Sequence, residues 1–286
     1  MSKIEKALEK AVQMRETKKE FVTDEIIMPD NQAPLHTFEV GDVLIDQTRV
    51  HGHIVCITDP FSSASEQFRK LKARILNETA KQDFLNTIMV TSSDIGEGKS
   101  IVSINLAVAL SKEIDYTVLL IDADLRNPSI HKYFGMEPEF GLSDYLTGKV
   151  NLSDIFIKAG LGKLLLIPAG NAVDNAAELL SSEKMKMLVH ELKLRYRDRY
   201  IIFDTTPLLV TSDPLMLGNY MDSVIFVIQE GRTSQKSALQ SFSLMKGWNV
   251  LGVVFNNVSH YLIKSHDHYY YSKKSNNNGK NHADTV

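Results

Sequence analysis

The sequence predicts an α/β fold with a mostly parallel central sheet and helices on both of its faces. Three observations lead to this class. Six short apolar runs recur along the chain: "NTIMVTSS", "YTVLLIDAD", "KLLLIPAG", "RYIIFDTTP", "DSVIFVIQ" and "NVLGVVFNN". They are apolar at consecutive positions rather than at alternate ones, the pattern of strands buried on two sides. Helical stretches separate most of them, notably "SIVSINLAVALSKE", "AAELLSSEKMKMLVHELKLRYR" and "SQKSALQSFSLMKGW", and strand–helix alternation implies crossover connections and a parallel sheet.

Taken in order, residues 2–20 predict an amphipathic helix, with Ile4, Leu8, Ala11 and Val12 on one stripe. That stripe suits either packing on its own domain or docking to a partner. Residues 21–60 contain Pro29, Pro34, Gly41 and Gly52 among short β-prone runs and read as a linker. At Ser63 to Glu66, "SASE" is a capping box, and Phe68, Leu71 and Ile75 follow on one helical face. The six strands and their helices then occupy the chain to Asn257. The remainder, ending "KKSNNNGKNHADTV", is low-complexity and predicts a flexible tail. The expected organisation is an N-terminal segment over 1–60, a domain over 61–258 and a tail over 259–286.

Composition narrows the function classes. Of 286 residues, 43% are apolar and 23% charged, and the formal charge is -3. Such a balance gives no electrostatic reason to expect nucleic acid or anionic lipid as a partner. A single cysteine, Cys56, excludes an intrachain disulfide and any multi-cysteine metal cluster. No apolar run approaches the ~20 residues of a membrane helix, and "MSKIEKALEK" lacks a signal-peptide core. A cytoplasmic protein is expected.

The chemistry concentrates after the first strand. "SSDIGEGKS", Ser92 to Ser100, is a glycine-rich loop between a strand and a helix, the setting in which such a loop cradles phosphates. Gly96 and Gly98 let backbone N–H groups close around phosphate oxygens, Lys99 reaches the β- and γ-phosphates, and Ser100 holds Mg²⁺. Gly96, Glu97, Gly98, Lys99, Ser100 and Ile101 form the candidate nucleotide-binding run. Asp122 and Asp124 follow the second strand and Asp204 the fourth. In open α/β sheets ligands bind beyond the carboxyl ends of the strands, so the three acids and the loop should converge. The site predicted is one for ATP with Mg²⁺.

These residues resemble the bacterial tyrosine kinases of exopolysaccharide and capsule assembly, a deviant-Walker branch of the P-loop NTPases. Walker A matches "GEGKS", Walker A′ "VLLIDADLRNP" and Walker B "IIFDTTP", and "GLSDYLTGK", "LLLIPAGN" and "AELLSSEKM" resemble the family's connecting segments. "SKIEKALEKA", "RYIIFDTTPLL" and "EGRTSQKSAL" are most similar to the stand-alone autokinases of exosortase-type systems. The resemblance implies that Asp122 contacts Mg²⁺ and accepts the phenolic proton, with Asp124 in support. It further implies that Asp204 holds a metal-bound water or senses the γ-phosphate, and that Asn256 reads the adenine edge. Arg126 is a further candidate, with a salt-bridged loop arginine as the alternative.

The tail carries "HYLIKSHDHYYYSKK", and the resemblance marks Tyr269, Tyr270 and Tyr271, with Tyr261 behind them, as phosphate acceptors. Tyr270 is the thirteenth residue after Asn257, a root-mean-square reach of roughly 20 Å and a limit of about 45 Å. That reach covers the chain's own site or a neighbour's. Glu66, Arg69 and Lys72 stand at the family's Glu-x-x-Arg-x-x-Arg oligomerisation motif with Lys for the last Arg, so the resemblance implies a homo-oligomer whose ring form is weaker than the family norm. A membrane chain-length or polysaccharide co-polymerase protein is the implied activator, recruiting the chain to the inner face of the membrane.

Four positions depart from the patterns of the group. Asp94 stands where ParA- and MinD-like ATPases carry a signature lysine, Ile95 replaces Pro, Thr206 replaces a Pro, and Lys72 replaces Arg. A MinD- or ParA-like nucleotide switch, or a non-catalytic regulatory subunit of a polysaccharide export complex, are the alternatives to an autokinase.

Overall fold

The computed structural model describes residues 45–79, 84–195 and 198–259. The predicted helix over 2–20 and the tail tyrosines Tyr261, Tyr269, Tyr270 and Tyr271 lie outside them. A seven-stranded sheet forms the centre, in the order β3-β4-β2-β5-β1-β6-β7. The strands are β1 (Thr87–Ser92), β2 (Thr117–Asp122), β3 (Ile157–Lys158), β4 (Leu164–Ile167), β5 (Arg199–Asp204), β6 (Ser223–Gln229) and β7 (Val250–Asn256). All six predicted strands are present and mutually parallel. The two-residue β3, antiparallel on β4, is an addition too short to leave a periodic signal.

The consecutive apolar residues of each strand divide between two cores. Ile88, Val90, Val118, Leu120 and Ile202 face one cluster; Met89, Leu119, Ile121, Ile201 and Phe203 face the other. Alternate residues of a strand point to opposite faces, so covering both faces demands an unbroken apolar run.

The first cluster is covered by α2 (Ser63–Thr79) and α3 (Lys99–Leu110). The second is covered by α6 (Ala176–Leu180), α7 (Glu183–Arg195), α8 (Asp213–Gly218) and α9 (Gln235–Leu244), with α5 (Leu142–Leu146) at its margin. The single long helix expected over 176–197 is thus two, α6 and α7, broken at Ser181 and Ser182, whose side chains bond backbone carbonyls of the preceding turn.

Two expectations are corrected at the start of the domain. Residues 45–58 are not linker: Ile45, Val50, Ile54 and Cys56 are buried in the first core, and a short α1 spans Val55–Thr58. Asn105 of α3 holds this segment, accepting from the Cys56 N–H at 3.0 Å and donating to the His53 carbonyl at 3.0 Å. The segment covers the outer side of α3, a helix buried nearly all round, and complete burial of Ile54 contributes about 2 kcal/mol. Its apolar residues follow no regular period, which hid the role. The cap of α2 is Ser62, whose hydroxyl accepts from the Ser65 N–H at 3.2 Å. Glu66 is drawn to Arg69 at 2.6 Å instead of back to the cap.

Candidate functional site

Strand order brings the predicted residues together. β2, β5 and β1 are neighbours, and the register pairs Asp122 directly with Asp204 and Asp204 with Val90. Both carboxylates therefore stand side by side at the carboxyl ends of their strands, next to the loop that leaves β1. The Leu208 and Leu209 N–H groups bond the Ser92 and Ser93 carbonyls at 2.9 and 3.2 Å and fasten the loop's first residues to the segment after β5.

Within the loop Gly96 and Gly98 have φ of +77° and +94°, a left-handed conformation that glycine adopts without steric cost. Gly98 is doubly constrained, since a Cβ there would fall 1.9 Å from Asn256 Nδ2. Glu97 is buried inward. Its carboxylate accepts from the Asp94 N–H at 2.9 Å and from the Thr233 hydroxyl. Its carbonyl accepts from Asn256 Nδ2 at 3.0 Å. Glu97 thus frames the loop from behind, and its side chain does not face a ligand.

The result is a run of unused donors: the backbone N–H groups from Gly96 to Ile101 meet no acceptor among the described residues. Six consecutive free N–H groups at the start of a twelve-residue helix, α3, form an anion cradle reinforced by the helix dipole.

The acids around it are buried and unequal. Asp122 accepts from the Ser129 and Ile130 N–H groups at 3.1 and 3.0 Å, at the start of α4 (Ile130–Tyr133), and from the Asp124 N–H at 3.2 Å. Burial and then the nearby Asp204 charge push its carboxyl up to about 7 despite those donors. Asp204 is also pushed up, by burial, with Lys99 pulling the other way. One oxygen, Oδ1, accepts from Ser103 Oγ at 3.1 Å; the other, Oδ2, is buried with no hydrogen-bond partner among the described residues.

Lys99 ion-pairs with Asp124 at 3.1 Å. Burial alone would lower its pKa, but Asp204 and Asp124 outweigh that effect and hold the ammonium above its ordinary range. One ammonium therefore faces three carboxylates, an imbalance that favours a bound cation.

This donor set fits Mg²⁺. Ser100 Oγ, Asp122 and Asp204 offer hard oxygen ligands, and the orphaned Asp204 Oδ2 is a buried polar atom in need of a partner. Among the described residues no group of three His, Cys, Asp or Glu side chains could hold a metal ion by itself. A magnesium site completed by substrate phosphates has that character.

Other candidates stand elsewhere. Arg126 is bidentate to the wholly buried Asp213, at 2.8 and 3.1 Å, and donates to the Asp174 carbonyl at 3.0 Å. It is the salt-bridged arginine of the two readings. The Thr206 hydroxyl bonds that of Thr211 and its carbonyl accepts from Thr91 Oγ1 at 2.9 Å, so the departure from Pro is absorbed in the packing. Lys72 pairs with Glu113, and Arg69 donates to the Pro60 carbonyl at 2.8 Å as well as to Glu66. The three oligomerisation candidates are thus engaged within one chain.

Sequence reasoning missed Thr233 and Asp213, whose roles depend on contacts 136 and 87 residues away along the chain. It also missed Arg232, whose guanidinium lies against Gly96.

Comparison with known proteins agrees with this geometry. Residues 83–285 match the family described as "ParA: NUBPL iron-transfer P-loop NTPase". The chain is 36% identical over 195 residues to tyrosine-protein kinase YwqD of Bacillus subtilis, covering 68% of this chain and 80% of that one. Against the tyrosine-protein kinase Etk of Escherichia coli it is 31% identical over 206 residues, which are 71% of this chain and 28% of that longer protein.

Among solved structures, the kinase domain of Escherichia coli tyrosine kinase ETK superposes with a TM-score of 0.66 at 30% identity, covering 72% of this chain and 82% of that one. The chimerical protein CapA2B2 superposes with a TM-score of 0.67 at 26% identity, covering 77% and 93%. The cradle, the paired carboxylates and this identity lead to one conclusion: the chain belongs to the bacterial tyrosine-protein kinases, a family with the P-loop NTPase fold.

Proposed function

We propose that the chain is an ATP-dependent protein-tyrosine autokinase that phosphorylates Tyr269, Tyr270, Tyr271 and Tyr261, in trans, on the tail of a neighbouring copy. The observation that carries the reading is the cradle of six free N–H groups beside the paired carboxylates of Asp122 and Asp204.

A phenol has a pKa near 10 and is a weak nucleophile at pH 7. Phosphoryl transfer needs in-line placement and neutralisation of charge more than a strong nucleophile. The cradle from Gly96 to Ile101 holds the phosphates, and Lys99, leaving Asp124, meets the β- and γ-oxygens. Mg²⁺, when bound, offsets the phosphate charge; Ser100, Asp122 and Asp204 are the residues that would hold it. The phenolic oxygen attacks the γ-phosphorus, the bond from that phosphorus to the β–γ bridging oxygen breaks, and ADP leaves. Asp122, the carboxylate beside the cradle, takes the phenolic proton.

The Asn256 amide nitrogen is spent on the Glu97 carbonyl, which leaves its Oδ1 to accept from the adenine amino group. Each phosphate adds about -1.5 to -2 charge. Several on one tail would repel the acidic site and release the tail, a charge switch on an assembly held by tail-in-site contacts. Coupling to a membrane protein of polysaccharide polymerisation and export follows as the physiological setting. Among the described residues no helix is long and apolar enough to cross a membrane.

The test is a mixing experiment. A Lys99→Met chain with an intact tail is incubated with Mg-ATP and a chain whose Tyr261, Tyr269, Tyr270 and Tyr271 are all Phe. Neither should label alone, and the mixture should add phosphate to the Lys99→Met chain. A mixture that stays unlabelled, while wild type labels itself, assigns transfer to a single chain.

A further inference from the structure

We infer that Arg232 is a polyphosphate-binding residue, a second cation at the mouth of the loop beside Lys99. The inference rests on the nucleotide-binding reading above and adds a residue to it.

Arg232 lies in the turn between β6 and α9. That turn is fastened to the phosphate loop from outside: the Thr233 hydroxyl donates to the buried Glu97 carboxylate and accepts from the Gln229 N–H at 2.8 Å. The Arg232 N–H itself bonds the Gln229 carbonyl at 3.2 Å. Fixed in this way, the turn delivers the guanidinium to Gly96. A Cβ built on Gly96 would fall 3.0 Å from Nη1, 3.0 Å from Nη2 and 3.1 Å from Cζ. Near-equal distances to all three atoms mean that the group turns its face, not one N–H, towards the glycine. Its N–H edge is therefore not consumed by the loop.

Charge points the same way. Arg232 is exposed, and no carboxylate pairs with it among the described residues. Lys99, the other cation of the loop, is already shared with Asp124 and faces Asp122 and Asp204 as well. A nucleoside polyphosphate entering a pocket with three carboxylates and one committed ammonium is short of positive charge. Arg232 supplies it at the open end, where a planar fork can take two phosphate oxygens at once. The link from Glu97 through Thr233 ties that placement to the phosphate loop itself.

The experiment is calorimetric titration of wild type, Arg232→Ala and Arg232→Lys with Mg-ATP, Mg-ADP and AMP. Arg232→Ala should weaken ATP and ADP about tenfold or more and leave AMP within twofold. Arg232→Lys should recover part of the loss. The side chain is exposed and packs in no core, so the variants should unfold at the wild-type temperature. Wild-type affinity for ATP in Arg232→Ala overturns the inference. So does an equal loss for ATP, ADP and AMP, which would assign Arg232 to the nucleoside. A wild-type protein that binds none of the three overturns the nucleotide reading itself.

Discussion

Lys99→Met is expected to lower phosphoryl transfer by about 10³-fold or more, the scale on which one cation at the transferring group acts. The change removes the ammonium proposed to meet the γ-phosphate and leaves the hydrophobic stem. It also strips Asp124, whose side chain is 9% exposed, of its ion partner, and removes the charge that restrains Asp204 from rising further. Three carboxylates then face one another without a cation, so the pocket becomes still less hospitable to polyphosphate. The variant should keep its fold, because the lysine takes part in no apolar contact of either core. The check is phosphate incorporation per chain over time, with thermal unfolding alongside. Loss of activity at an unchanged unfolding temperature supports the assignment. Activity within tenfold of wild type contradicts it.

Asp204→Asn should reduce turnover about 10²- to 10³-fold, because the buried oxygen proposed to hold Mg²⁺ passes from a charged carboxylate to a neutral amide. The same change should stabilise the protein when metal and nucleotide are absent, and the sign follows from the shifts. Asp122 and Asp204 both have folded pKa values above the ordinary carboxylate value. Between that value and about 7 the folded chain binds more protons than the unfolded one, so stability falls as pH rises through the window. Ionising the pair above pH 7 therefore costs the metal-free fold stability.

Removing one charge of the pair should flatten the decline. Urea unfolding in a chelator at pH 5.5 and pH 8 measures it: wild type loses stability between the two and Asp204→Asn loses less. A wild type equally stable at both values would show that the carboxylates do not burden one another.

Much of this was legible in the sequence because it rests on local pattern. Consecutive apolar runs marked the six parallel strands, and the glycine-rich loop between β1 and α3 marked the cradle. Asp122 and Asp204 could be placed at one edge because parallel strands end together. What the sequence hid depends on distant contacts. Ile45 to Cys56 looked like linker because its apolar residues follow no period, and what ties it down comes from far along the chain: Asn105, some fifty positions on, and the Tyr133 and Ala159 carbonyls. Glu97 looked like a ligand contact because it lies inside the motif, yet Thr233 draws its carboxylate away from the cradle. Arg126 adjoins Asp122 and Asp124 in sequence, but a wholly buried Asp213 holds it. Charge and spacing find the groups, and the three-dimensional partner decides the role of each.

The most direct test of the central claim is the intact mass of the purified protein before and after incubation with Mg-ATP. The account predicts stepwise gains of about 80 Da, the mass of one phosphoryl group in the transfer described above. They should map to Tyr269, Tyr270 and Tyr271 and be absent from Lys99→Met. ATP consumed with no gain in mass would contradict it and make the chain a nucleotide switch that uses water as its acceptor.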